Sequence, residues 1–499
     1  MSLAIIYSRA KVGIDAPLVT VEAHLSNGLP SLSIVGLPEA AVKESRDRVR
    51  SAIINSQFEF PARRITINLA PADLPKEGGR FDLAIALSIL AASEQVSAST
   101  LENYEFLGEL ALTGQLRPTP GALPAALNCT RHSRTLFVPS DNASEAALPQ
   151  RASVIAAQHL LDVTAHLNGQ QPLDVYHNPP LSKTSPCNTD LNEVMGQYQA
   201  KRALEIAATG NHNLLFQGPP GSGKSMLAAR LPTILPELDE ASAMEVAALR
   251  SVANLPFELD NWLKPPYRAP HHTASSAALV GGGSNPKPGE ISLAHRGVLF
   301  LDELAEFDRR VLEVLREPLE AGHINISRIN QQVNFPARFQ LIAAMNPCPC
   351  GYLNHPKINC RCSPEQIKRY RQKISGPLLD RIDLQVNVPA NTQEVINPPS
   401  QSGETSEVIK QRVSQARLYQ QKRQGCLNGD LSSRQLTAYC ALQDENRQLM
   451  SQAIDRLGLS ARAYHRILKV ARSIADLALS PDIEAAHLLE ALNLRNMNT

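Results

Sequence analysis

The stretch Gly218-Pro219-Pro220-Gly221-Ser222-Gly223-Lys224-Ser225 constrains this chain more than any other. It fits GxxxxGK[ST], follows an apolar run ending at Gln217, and leads into a helix-like stretch from Met226 to Leu231, the strand, loop and helix order the pattern requires. Glycines let backbone N–H groups converge on phosphate oxygens, and the helix start adds positive potential. Lys224 is placed to reach the β- and γ-phosphates, and the Ser225 hydroxyl to hold Mg²⁺. A nucleoside triphosphate site is therefore expected on residues 218–225.

Further along, Val298-Leu299-Phe300-Leu301-Asp302-Glu303 reads as an apolar strand that delivers two adjacent carboxylates at its carboxyl end. Phosphoryl transfer needs both: Asp302 to hold the metal, and Glu303 to orient and deprotonate water. A third strand ending Ala343-Ala344-Met345-Asn346 sets a polar side chain beside them, either to touch the γ-phosphate or water, or simply as a turn asparagine before Pro347. Arg381, in Gly376 to Asp383, and Arg462, in the first turn of a helix predicted to be capped by Ser460, fit charge stabilisation of the transferred group; surface salt bridging is the alternative.

Short apolar strands alternating with longer helical stretches (213–217, 298–301, 339–345) predict a parallel sheet sandwiched by helices. Before it, an alternating Ser31 to Val35, a helix-like Glu39 to Asn55, a strand-like Arg64 to Leu69 and an apolar helix from Phe81 to Ala92 predict a separate α/β domain. After about Glu407 the pattern is helical throughout. With 499 residues and roughly 100–200 per domain, the expected division is an amino-terminal domain (1–167), a proline-rich linker (168–188), a core (189–402) and a carboxyl-terminal helical domain (403–499). No internal repeat stands out.

Composition excludes broad classes. At 43% hydrophobic and 19% charged residues, the chain is neither disordered nor fibrous. Its 49 basic and 48 acidic residues neither demand nor exclude a nucleic-acid partner. No run approaches the ~20 apolar residues of a membrane span, and Met1 to Tyr7 is too short for a signal-peptide core, so a cytoplasmic protein is expected.

Of eight cysteines, Cys348, Cys350, Cys360 and Cys362 fall within fifteen positions. Four soft ligands in one loop suit a tetrahedral, structural zinc. The single residue inside each pair makes a tight bite, so reduced thiols in a compact loop are the competing reading, and His355 is a possible substitute ligand.

Together these residues resemble the AAA+ ATPases, and more narrowly the magnesium-chelatase-like ComM or YifB family. Besides the phosphate loop, the resemblance rests on Pro270-His271-His272-Thr273-Ala274-Ser275, Gly281-Gly282-Gly283, Pro288 to Gly297, Asn346-Pro347-Cys348-Pro349-Cys350-Gly351-Tyr352 and Ser375 to Asp383, and it runs nearly end to end. It implies an AAA+ parallel sheet with a helical lid, ATP and Mg²⁺ as cofactors, and Asn346 as sensor 1. It also implies Arg381 as an arginine finger reaching a neighbouring subunit, and Arg462 as sensor 2. A finger acting in trans requires a ring, and the family implies a hexamer.

In this clade residues of about 268–290 and 322–336 correspond to inserts facing the central pore. The second reads independently as a hairpin with strand residues Ile324, Ile326, Val333 and Phe335 and with Arg328 near its turn. Lys287 and Arg328 are candidate contacts to a DNA backbone, which carries no sequence information; solvated loop charges are the alternative.

The amino-terminal domain resembles the proteolytic domain of Lon through Pro75-Lys76-Glu77-Gly78-Gly79 and Gly108 to Gly114. Its serine position holds Arg80 and its lysine position falls near Pro124 or Ala125, so no nucleophile or base remains, and a binding or assembly module is expected. The resemblance thus implies a ring motor acting on single-stranded or branched DNA, promoting branch migration in natural transformation, with recombination proteins as further partners and no membrane. A protein-remodelling ATPase of the magnesium-chelatase type, acting on a partner polypeptide, is the other reading, and a nucleotide-gated scaffold a third.

Overall fold

The computed structural model describes residues 2–36, 40–180, 189–283, 286–328, 331–390 and 403–495. Residues 181–188 of the expected linker and 391–402 at the end of the expected core lie outside the described residues.

The amino-terminal domain is a seven-stranded mixed sheet. Its strands are β1 (Leu3–Arg9), β2 (Leu18–Ser26), β3 (Ser31–Val35), β4 (Arg64–Ala70), β5 (Tyr104–Phe106), β6 (Thr135–Pro139) and β7 (Val154–Ala157), in the order β3-β4-β2-β1-β5-β6-β7. β2 runs antiparallel to both β1 and β4, and the other neighbours are parallel. Helix α1 (Ala40–Asn55) and helix α2 (Asp82–Ala92) follow the sequence expectation closely. Every residue of α2 is buried, which an apolar helix with no polar face requires. Helices α3 (Ala122–Arg131), α4 (Ser140–Ala146) and α5 (Leu160–Leu167) complete the domain.

The first part of the expected linker is anchored on this domain. Leu173 joins its core, the Tyr176 amide donates to the Val154 carbonyl at 2.7 Å, and the Asn178 side chain donates to the Ser144 carbonyl at 3.0 Å. The prolines around these residues hide how few apolar groups are needed to pin an extended segment.

The core sheet contains β8 (Leu214–Gln217), β9 (Tyr267–Arg268), β10 (Val298–Leu301), β13 (Gln340–Met345) and β14 (Leu384–Asn387), all parallel, in the order β9-β10-β13-β8-β14. β10 and β13 are buried at every position, the continuous apolar run expected of strands covered on both faces. Helices α6 (Tyr198–Gly210) and α7 (Lys224–Ile234) flank β8 in sequence and pack on each other, and α8 (Glu240–Val252) packs on α3 of the first domain. At that seam Leu123, Ala247 and Ala248 form an apolar cluster, and the Gly121 amide donates to the Ser251 carbonyl at 3.0 Å.

The expected hairpin is present as β11 (His323–Arg328) and β12 (Gln331–Pro336), with Ile324 opposite Phe335 and Ile326 opposite Val333. All four side chains are buried, each worth about 1.5–3 kcal/mol of transfer free energy, so one face of the hairpin is fixed against the core. The turn at Gly13 of the first domain rests on it; a methyl group at Gly13 would sit 2.6 Å from Val333 Cγ1. The Arg328 side chain and residues 329–330 lie outside the described residues.

Beyond α9 (Pro364–Arg371), the chain ends in a helical lid of α10 (Ser406–Gln424), α11 (Ser433–Tyr439), α12 (Asp444–Leu457), α13 (Ala461–Leu477) and α14 (Ala485–Asn493). Ser460 caps α13, accepting from the Ala463 amide at 3.2 Å, and Ile467, Leu468, Ala471, Ile474 and Ala475 form its buried stripe. α13 packs on α6 and α10, which fixes the lid to the nucleotide-binding core.

Candidate nucleotide site and its neighbours

The site forms at the carboxyl ends of β8, β10 and β13, where the phosphate loop, the two carboxylates and Asn346 emerge side by side. The loop bends through Gly221 and Gly223 at φ +72° and +88°, and nothing lies within 4 Å of where a Cβ would stand on either. A side chain at these positions would be strained and would enter the open side of the cradle. Gly218 is tight for another reason: a Cβ there would run into the Val388 carbonyl. Gln197, which the sequence reading did not single out, holds the loop by donating to the Ser222 carbonyl at 3.3 Å and the Pro389 carbonyl at 2.7 Å.

Lys224 opens α7, and its ammonium donates to the carbonyls of Gly218 and Pro219, both at 2.8 Å, and to Asn346 Oδ1 at 3.2 Å. Burial pulls it below the ordinary lysine range, against the opposing pull of Asp302 and Glu303. The Ser225 hydroxyl donates to Asp302 Oδ2 at 2.5 Å. A hydroxyl and a carboxylate held together at a helix start are a hard-oxygen donor set, so Ser225 and Asp302 fit Mg²⁺, and the cradle of residues 218–224 fits a triphosphate.

Glu303 takes a left-handed backbone, φ +51°, and its amide donates to Asp302 Oδ1 at 2.9 Å. This conformation is strained for a residue with a side chain, and strain of that kind gathers at functional sites. The Glu303 carboxylate is half exposed and meets His272 Nδ1 at 3.2 Å. The His272 ring lies against that of His271, centroids 4.1 Å apart and tilted by 33°, just past β9, the strand next to β10. Sequence reading noted this histidine pair only as part of a motif; the order of strands in the sheet brings it to Glu303.

The two arginines are placed differently. Arg381 precedes β14, whose first residue pairs with Leu214 at the start of β8, so it stands at the amino ends of the strands, opposite the phosphate loop of its own chain. It is buried, paired with Glu320, and donates to the Pro377 carbonyl at 2.5 Å. Arg462 is exposed at the start of α13 and has no hydrogen-bond or charge partner among the described residues. One turn on, Arg466 pairs with the buried Asp383 and donates to the Arg381 carbonyl at 3.1 Å, tying the lid to the arginine segment. Asp383 also accepts from the Asn213 amide at 2.9 Å. Lys287 is exposed and lies within electrostatic range of Lys11 in the first domain.

The motif Pro288 to Gly297 turns out to be architectural. Glu290 makes a double contact to Arg268 at 2.6 and 2.7 Å, and His295 and Arg296 both reach Glu245 at 3.0 Å. These pairs anchor residues 290–296 to β9 and α8.

The four loop cysteines converge. Cys348 Sγ lies 3.4 Å from Cys350 and 3.6 Å from Cys360, Cys350 and Cys360 are 3.5 Å apart, and all four sulfurs lie within 4.8 Å of one another. His355 is not among them; its Nδ1 accepts the amides of Lys357 and Ile358 at 3.1 and 3.0 Å and serves a turn. In the first domain, Arg80 stands beside the start of α2 and is buried. Burial lowers its guanidinium to about 10, with Glu77 as the opposing charge, and its Nε and Nη2 have no hydrogen-bond partner among the described residues. Gly121, at the start of α3, is its neighbour: Arg80 Nη1 lies 3.9 Å from where a Cβ of Gly121 would stand. Pro124 and Ala125, the positions compared with the Lon lysine, lie in the first turn of the same helix, and neither they nor Arg80 supplies a nucleophile or base.

Three family models match the chain: "Magnesium chelatase, subunit ChlI" over residues 190–396, "Subunit ChlI of Mg-chelatase" over 21–142, and "Magnesium chelatase, subunit ChlI C-terminal" over 403–495. The chain is 52% identical to the competence protein ComM of Haemophilus influenzae over 100% of its length and 98% of that protein. It is 50% identical to YifB of Escherichia coli over 99% of its length and 97% of that protein. A shorter match, 28% identical over 31% of this chain and 42% of the relative, joins it to the chloroplastic magnesium-chelatase subunit ChlI of Nicotiana tabacum. No helix among the described residues is long and apolar enough to cross a membrane.

Proposed function

The chain belongs to the ComM/YifB family of magnesium-chelatase-like AAA+ proteins, and from that premise we propose that it is an ATP-hydrolysing motor. It works as a hexameric ring that drives branch migration of DNA during integration in natural transformation. The 52% identical relative, a competence protein, supports the link to competence. The observation that supports the ring is the placement of Arg381 at the amino ends of the strands, opposite its own phosphate loop, from where it would complete the pocket of a second copy rather than its own.

In this reading residues 218–224 cradle the triphosphate, and Ser225 with Asp302 hold its magnesium, which neutralises charge on the phosphate oxygens. Glu303, oriented by His272 and by its left-handed backbone, takes a proton from the attacking water. Asn346, now on Lys224, turns to that water or to the terminal phosphate. Arg381 exchanges Glu320 for the transferred phosphoryl group of the neighbouring copy, and Arg462 reaches the nucleotide from the lid. Coupling to DNA runs through the inserts that carry Lys287 and Arg328, whose contacts to phosphates are sequence-independent.

The test is purified protein with ATP and a labelled three- or four-way DNA junction, beside Lys224→Ala. Junction resolution that disappears in the variant is expected. ATP turnover that is indifferent to DNA, with no junction movement, would overturn the DNA reading and favour a polypeptide substrate.

A further inference from the structure

We propose that Cys348, Cys350, Cys360 and Cys362 bind one zinc ion, and that this closed site clamps the loop after Asn346 over the phosphate loop. A tetrahedral ion with Zn–S bonds of about 2.3 Å sets its sulfurs about 3.8 Å apart. Three of the sulfur pairs already stand at 3.4, 3.5 and 3.6 Å, and the fourth sulfur lies within 4.8 Å of the rest. Thiols gain little by crowding together, so the convergence of four, two from each end of a loop of nine intervening residues, points to a common ligand.

The donor set selects the ion. It contains sulfur alone, with no carboxylate or imidazole in the cluster, which disfavours magnesium, calcium and manganese. Backbone N–H groups support the sulfurs, Cys350 donating to Cys362 Sγ at 3.4 Å and Cys362 to Cys360 Sγ at 3.5 Å, as expected around thiolates. The one-residue spacing is accommodated because Gly351 turns at φ +83° directly after the first pair, and Ser363 caps α9 directly after the second. Four protein ligands leave no position open for water, so the site is structural.

Its place makes it more than a staple. Cys348 follows Asn346 by two residues, and the loop lies on the phosphate loop: a Cβ at Gly351 would fall 2.5 Å from Pro220 Cδ and 3.8 Å from Asn346 Cγ. On the other side, Tyr370 of α9 is buried in the same apolar cluster as Met345, the last residue of β13. Zinc thus joins the end of β13 to the start of α9 and holds Asn346 and Pro220 at a fixed distance. None of this depends on what the motor acts upon.

Metal analysis of the full chain, purified without chelator, is expected to give about one zinc per chain. Cys360→Ser and Cys362→Ser are expected to lose it, while Lys224→Ala keeps it. Cobalt exchanged into the wild-type chain should show the intense visible absorption of tetrahedral thiolate ligation, so the outcome does not hang on whether the variants fold. Stripping the ion should weaken binding of a fluorescent ATP analogue, and restoring zinc should recover it. A chain that carries no metal even after incubation with zinc, or that carries iron instead, would overturn the assignment; unchanged nucleotide binding in the stripped chain would overturn the clamp.

Discussion

Two buried cations stand at helix starts in this molecule, Lys224 at the head of α7 and Arg80 beside the heads of α2 and α3. A helix start repels positive charge, so each position is unfavourable unless an anion answers it. Lys224 has three acceptors and lies near Asp302 and Glu303, and its helix start opens on a cradle made for phosphates. Arg80 has Glu77 nearby, and two of its nitrogens are unpartnered among the described residues. The carboxylates around the cation, more than the cation or the helix start, set the phosphate-loop site apart from the surroundings of Arg80.

The comparison sharpens most at Arg381, which in the proposed ring would complete the Lys224 pocket of a neighbouring copy. Arg381→Ala should lower turnover by about 10³-fold, the usual weight of an arginine finger. Mixing it with Lys224→Ala should recover part of the activity, since some seams then join an intact Arg381 to an intact Lys224. Steady-state ATPase assays on the separate and mixed variants check both; a mixture no better than its parts would leave the finger acting within its own chain.

A smaller effect is expected at His272, which meets the Glu303 carboxylate at 3.2 Å and in the proposed reading orients it. His272→Ala should reduce kcat by about tenfold, below the 10²–10⁴-fold range expected for the loss of a general base itself, and leave KM nearly unchanged. A change confined to KM would place His272 with nucleotide binding instead.

Acidification should act on the ATPase side. His212, between α6 and β8, is fully buried, and burial lowers its imidazole to about 4 despite the opposing pull of Asp383; Lys469 and Arg466 lower it further. An unfolded histidine titrates near 6.5, so between these values the unfolded chain holds the extra proton and stability drops as the pH is lowered, by at most ~1.4 kcal/mol per unit. Thermal melts between about pH 7 and pH 5 should show the loss, and His212→Gln should flatten it. A slope that survives the substitution would move the effect elsewhere.

The smallest effect is expected at Arg80. Replacing an underpaired buried charge by an apolar side chain of similar length is commonly neutral or stabilising, so Arg80→Met should raise the unfolding free energy by ~1 kcal/mol and leave ATPase activity unchanged. Calorimetry checks it. A marked loss of stability would show that an anion answers Arg80 after all, and the contrast with Lys224 would fail.

Much of the ATPase fold was legible because its strands are short apolar runs that end in chemistry. β10 begins at Val298 and ends at Leu301 as expected, β13 ends before Asn346, and glycines in the phosphate loop mark the backbone turns they permit. The hairpin at 323–336 was legible from alternation, and the cap of α13 from Ser460. Less of the site was. His272 lies 31 residues before Glu303, and no periodicity links them; they meet because β9 and β10 are neighbours in the sheet. Arg466 outweighs Arg462 as a lid contact because the helix turns it toward Asp383, whereas spacing alone favoured the first turn.

By itself the sequence determined the local units: which runs become strands, where the phosphate loop turns, which carboxylates a strand end delivers, and that positions 80, 124 and 125 hold arginine, proline and alanine, with no nucleophile or base among them. These depend on contacts among near neighbours in the chain, where φ preferences and side-chain alternation suffice. Tertiary structure alone decided that Arg381 faces away from its own phosphate loop, that His272 reaches Glu303, that four cysteine sulfurs share one point, and that Arg80 is sealed beside two helix starts. Each of these depends on the order of strands in a sheet or on loops folding back over long separations, and many crossings of one set of local units would satisfy the same local preferences.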